Sequence, residues 1–114
     1  MNKASIAHQW IDAWNRHDLQ AVMKLYSEDI QHVSPKIARY LEVEGNRLQG
    51  KDALHSYFEQ ALSNNPALEF DLHHILEGQQ SMVLIYRRNG TQLSGEYLEL
   101  NQQGLIMSSR SHYL

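Results

Sequence analysis

At 114 residues, with 42 % hydrophobic and 20 % charged residues, the chain has the length and composition of one small domain that folds on a core. A formal net charge of −3 with no dense basic run leaves nothing to displace counterions from nucleic acid, and no run of about 20 apolar residues offers a membrane span. The absence of cysteine excludes disulfides, thiolate nucleophiles and cysteine metal sites; with an N-terminus that lacks an apolar signal core, it fits a cytoplasmic location.

The spacing of Ile6, Trp10, Ala13 and Trp14 predicts an amphipathic helix over residues 4–16. Asp18 is a good N-cap for a second helix, in which Leu19, Val22, Met23 and Tyr26 repeat the helical interval. Residues 30–34 (IQHVS) read as a short strand stopped by Pro35, and residues 36–50 as irregular. A third helix is expected over residues 51–63, with Ala53, Leu54, Tyr57, Phe58, Ala61 and Leu62 on its apolar face and Asn64, Asn65 and Pro66 ending it. Leu68, Phe70 and Leu72 then alternate with polar neighbours, and Met82–Tyr86 is a buried-strand run. Asn89-Gly90 marks a hairpin because both residues tolerate positive φ. Two more strands, 93–100 and 105–114, flank the turn Asn101–Gly104. Helices placed before an antiparallel meander mean an α+β fold in one domain, residues 1–114.

Four stretches in this order resemble the nuclear transport factor 2-like superfamily, in particular its SnoaL-like and ketosteroid isomerase-like members. They are WIDAWNRHDLQAVMKLYSEDI at 10–30, HVSP at 32–35, LQGKDALHSYFEQAL at 48–62, and the closing strands from Gly95 to Leu114. The resemblance implies a cone-shaped, cystatin-like α+β barrel: three helices on a strongly curved, mostly antiparallel sheet whose concave face lines a pocket. It also implies a homodimer through the convex sheet face. The fold hosts enzymes and non-enzymes alike.

The resemblance also places the family's acid–base positions on this chain. The carboxylate before the first-strand proline falls on Ser34, and an acidic position of the last strand falls on Ser111. A serine hydroxyl is no base at neutral pH without an activating partner. Glu96 falls where isomerase relatives carry a second pocket carboxyl, and Trp10 where they carry an oxyanion-hole tyrosine. Buried among Trp10, Tyr57 and Tyr113, Glu96 would gain a raised pKa and serve as acid or base. On a solvated face it would instead pair with Arg87, Arg88 or Arg110.

His32 shares strand parity with Ser34, so it is either a pocket base or a rim histidine. Ser109, Ser111 and Tyr113 share one face of the last strand, leaving Arg110 and His112 for the other, unless the register slips by one residue. Trp14, Tyr26, Tyr40, Tyr57, Phe58 and Tyr113 are candidates to ring an aromatic cavity, or simply to fill it. His73 and His74, as strand neighbours, are expected on opposite faces, and the helical His8, His17 and His55 lack a ligating partner at i+4. No metal and no cofactor are expected. Two main readings remain: a binding protein for a small apolar or aromatic ligand, and a cofactor-free isomerase, cyclase or dehydratase using Glu96 or His32. A purely structural dimer module is a third.

Overall fold

The structure, a computed structural model, describes residues 2–114. Helix α1 spans Lys3–Asn15 and buries Ala7, Trp10, Ala13 and Trp14, the face its spacing predicts. Helix α2, Leu19–Met23, is capped by Asp18, whose side chain accepts from Ala21 N–H at 3.0 Å. Strand β1 runs over Tyr26–Val33, followed by 3-10 turns at Ile37–Arg39 and Glu44–Asn46 and by strand β2, Arg47–Gln49. Helix α3 spans Lys51–Asn64. The meander follows: β3 Phe70–Glu77, β4 Ser81–Arg88, β5 Gln92–Leu100 and β6 Ile106–Tyr113.

The six strands form one sheet in the order β2-β1-β6-β5-β4-β3. Every pairing is antiparallel except β1 with β6. The sheet is therefore mixed, and it does not close: β2 and β3 are its two edges. Helix α1 packs on β3 and β4, and α3 on β1 and β2, so the helices cover the concave face. Among the described residues no helix is long and apolar enough to cross a membrane.

Three sequence expectations are corrected. Tyr26 opens β1 and does not belong to α2. It satisfies the helical interval after Val22, but Tyr26 and Ser27 are both buried and Glu28 and Asp29 both exposed, which hides the strand's alternation. The segment 36–50 is not wholly irregular. Strand β2 pairs Leu48 with His32, but three residues are too few to show a period. His73 sits at a β-bulge, where Leu72 pairs with Tyr86 and His74 with Ile85, so simple alternation does not assign faces to the two histidines.

Hairpin geometry follows the sequence: Asn89 and Gly90 have φ of 53° and 73°. Asn15 joins the end of α1 to the start of the meander, accepting from Phe70 N–H at 2.7 Å and donating to Phe70 C=O at 2.9 Å. Those two bonds hold the tryptophan-bearing helix in register with β3.

Candidate functional site

Strand register decides which side chains meet inside the cone. One cross-strand row reads Leu84, Glu96, Ser111 on β4, β5 and β6. The next reads Tyr86, Ser94, Tyr113. A third reads Leu98, Ser109, His32 and Leu48. These rows face the helices. Val83, Ile85, Tyr97, Arg110 and His112 face the other way, as the parity of the last strand predicts.

Between the inner rows and the helices lies a cavity of about 50 Å³, counted as space that the centres of water molecules can reach. Its walls are aromatic. Trp10 stacks on Phe70 with ring centroids 5.5 Å apart, Trp14 meets Phe58 edge-on at 4.7 Å, and Tyr86 lies 4.6 Å from Phe70. Tyr40 and Tyr57, 5.8 Å apart, line it from the 3-10 segment and α3.

Glu96 brings a carboxyl to this lining. It is 2 % exposed, and its Oε1 accepts from the Ser111 hydroxyl at 2.7 Å. Burial pushes its pKa up to about 8, and the Ser111 hydrogen bond only partly offsets that. The carboxyl is therefore mainly neutral at pH 7, and a neutral carboxyl can donate a proton in a hydrogen bond.

His32 is equally buried and lines the same cavity. Its Nδ1 lies 2.6 Å from Ser109 Oγ, and among the described residues Nε2 has no hydrogen-bond partner. Burial pushes its pKa down to about 4, against the hydrogen bond at Ser109, so the ring is uncharged at neutral pH. Burial also raises the phenols of Tyr57, Tyr86 and Tyr113 above the usual tyrosine value, keeping them neutral donors.

The cavity brings together Glu96, His32, Trp10, Trp14, Tyr40, Tyr57, Phe58, Ser111 and Tyr113. Three other candidates stand behind its wall. Tyr26 is buried, and its hydroxyl accepts from Trp10 Nε1 at 2.9 Å. Ser34 Oγ accepts from Lys36 N–H at 3.2 Å and lies 3.4 Å from Tyr57 OH. Ser109 is held by His32. Each supports a lining residue and none lines the cavity itself.

Sequence reasoning passed over Lys36, Arg88, Phe70 and Tyr86, which do line it. Tyr86 and Arg88 share the parity of buried Leu84, a signal available in the strand; Lys36, in a segment read as irregular, gave none. Among the described residues no group of three or more His, Asp or Glu side chains is arranged to hold a metal ion.

A second hollow, broad and shallow, lies on the outer sheet face between Val83, Ile85, Tyr97, Glu99, Arg110 and His112. At about 680 Å³ it is larger than the inner cavity, but it contains no buried ionisable group.

Solved structures reproduce this architecture. A SnoaL-like protein of unknown function from Burkholderia thailandensis is 30% identical, with a TM-score of 0.90 over 100% of this chain and 98% of its own. A candidate isomerase of the SnoaL-like family from Agrobacterium tumefaciens is 16% identical, with a TM-score of 0.78 over 97% of this chain and 96% of its own. IdmH, a candidate polyketide cyclase from Streptomyces antibioticus, is 11% identical, with a TM-score of 0.81 over 99% and 92% of the two chains. The last two carry the fold alone. Among curated proteins none matches this chain. The SnoaL-like domain profile matches residues 7–108. With nearly its whole length matched and the cone of helices and curved sheet in place, the chain belongs to the SnoaL-like domain family.

Proposed function

We propose that the inner cavity binds a small, largely apolar or aromatic molecule and that Glu96 supplies acid–base chemistry to it, in a cofactor-free reaction of the isomerase or cyclase kind. The observation that carries this reading is the Glu96 carboxyl itself. It is fully desolvated on the cavity wall with one neutral partner, Ser111, and no cation within ion-pair distance among the described residues. A buried carboxyl of that kind weakens a fold, and groups perturbed in this way cluster at functional sites. Neutral at pH 7, it donates to a carbonyl oxygen and stabilises the negative charge that develops when an adjacent C–H loses its proton. His32 is the neutral base of the same wall, with Nε2 unpartnered among the described residues.

The test is deuterium exchange into the methyl group of acetophenone in D2O. Exchange above the buffer rate that Glu96→Gln removes supports the reading. Exchange equal to buffer, with acetophenone bound in the cavity, would leave a non-catalytic binding protein. That second reading has its own support: neither position Ser34 nor position Ser111 carries a carboxylate base.

The outer sheet face is the proposed homodimer surface. Val83, Ile85 and Tyr97 give it an apolar centre, and Glu99, Arg110 and His112 a polar surround.

A further inference from the structure

The inner cavity is bordered by positive charge that the chain does not neutralise. Lys36 lines it from the segment after β1, and Arg88 from the end of β4. The Lys36 ammonium sits 3.7 Å from the centroid of the Tyr113 ring and donates to Gln92 Oε1 at 2.8 Å. Both partners are uncharged. Arg88 stands opposite Gln92 across β4 and β5. Among the described residues its guanidinium has no carboxylate within 4.0 Å, and neither does Lys36 or the adjacent Arg39. Burial first, then repulsion from Arg88 and Arg39, lowers the Lys36 pKa to about 8. A protein of net charge −3 thus gathers three unpaired cations at and beside one cavity. Cations set against each other without a counterion form an incomplete ion cluster.

A second, independent observation points the same way. Trp14 lines the cavity at 5 % exposure, and its Nε1–H is a buried donor with no acceptor. An indole N–H can only donate, and among the described residues this one has no acceptor, so a ligand oxygen is one way to satisfy it. Glu96, held neutral, adds no negative charge to repel an anion at pH 7.

We propose that the cavity takes a small aromatic or apolar carboxylate, with its charged end on Lys36 and Arg88, its body against Trp10, Phe70 and Tyr86, and an acceptor oxygen within reach of Trp14 Nε1. The inference rests on the reading of the cavity as a ligand site and adds the charge class of its ligand. Arg88 supplies a planar fork that can hold both carboxylate oxygens, and Lys36 a point charge. The groups facing Lys36 are Gln92, Tyr113, Arg88 and Arg39, so only the ligand brings the opposite charge. Binding is strongest below pH 8 and weakens as Lys36 loses its proton and Glu96, in the same lining, loses its own.

The experiment compares benzoylformate with benzoylformamide, which share ring and ketone and differ in charge. Each is titrated into the 15N-labelled chain at pH 7 and low salt. The proposal expects benzoylformate to bind about tenfold tighter or more, the scale of a charge-assisted contact. The preference should fall to within about threefold in both Lys36→Gln and Arg88→Gln and fall only in part in Arg88→Lys, which keeps the charge but loses the fork. Equal binding of the two probes would overturn the anionic assignment while leaving the ligand site standing. Preference for the acid that survives both glutamine variants would place the anion elsewhere and overturn it too. Binding of neither probe would remove the ligand site and this inference together.

Discussion

Ser111 Oγ donates a 2.7 Å hydrogen bond to Glu96 Oε1 from the directly opposite position of β6. One neutral donor favours the charged carboxylate, but burial opposes it more strongly and wins. Ser111 therefore moderates the acid beside it. Ser111→Ala should push the Glu96 pKa above about 8, by up to roughly 1 unit. A carbon-13 pH titration of the side-chain carboxyl of both proteins checks this. An unchanged midpoint would mean that the bond does not act on the carboxyl.

Glu96 also shapes stability against pH. Its folded pKa of about 8 lies above the ordinary 4.5, so between these values the folded state holds a proton that the unfolded chain has lost. Stability is then lost as pH rises from about 4.5 to about 8 and levels off beyond. Glu96→Gln removes that loss. The variant should be more stable than the parent at pH 9, by roughly 3–5 kcal/mol, with little difference near pH 4.5. Urea titrations at the two pH values measure it. A variant that is less stable than the parent at pH 9 would refute the buried neutral acid.

His32 acts on the acid side. Its folded pKa of about 4 lies below the ordinary 6.5, so the unfolded chain takes up a proton first as pH falls between them. Stability contributed by the neutral ring is present above pH 6.5 and lost as pH falls toward 4. The loss amounts to roughly 3 kcal/mol. His32→Gln, which keeps a polar partner for Ser109, should flatten the acid limb of a Tm-against-pH curve. An acid limb identical to the parent's would show that His32 is not the group being protonated.

On the outer face, Ile85 lies in the apolar centre of the hollow that includes Val83 and Tyr97. Ile85→Glu buries a charge in the proposed dimer contact while leaving the inner cavity untouched. Sedimentation at micromolar concentration should find the parent dimeric and the variant monomeric. A monomeric parent would remove the dimer surface.

Much of this architecture was legible in the sequence because its strongest signals are periodic. Trp10 and Trp14 on one helical face, Asp18 as a cap, Asn89-Gly90 as a turn and the parity separating Ser111 from His112 each depend on local geometry alone. The misses share a cause in tertiary structure. Tyr26 fits the helical interval and sits where the strand shows no alternation, and only its parallel partner Ile106, distant in sequence, settles it. Strand β2 exists because Leu48 finds His32, not because three residues prefer extension. At the site, Glu96 and His32 were identifiable as candidates. Lys36 was not, because no pattern within the 36–50 segment reveals that its ammonium reaches Tyr113 on β6. Ser109 falls on the expected strand and Ser34 just past the end of β1, yet they bond His32 and Lys36 N–H and so stand one layer behind the cavity.

The whole functional account turns on the protonation state of one side chain. The direct measurement is a carbon-13 NMR titration of the Glu96 carboxyl from pH 4 to 10, assigned by comparison with Glu96→Gln. The account predicts a midpoint near 8, with a neutral carboxyl at pH 7. A midpoint near the ordinary 4.5 would mean an ionised, solvated glutamate and would contradict it.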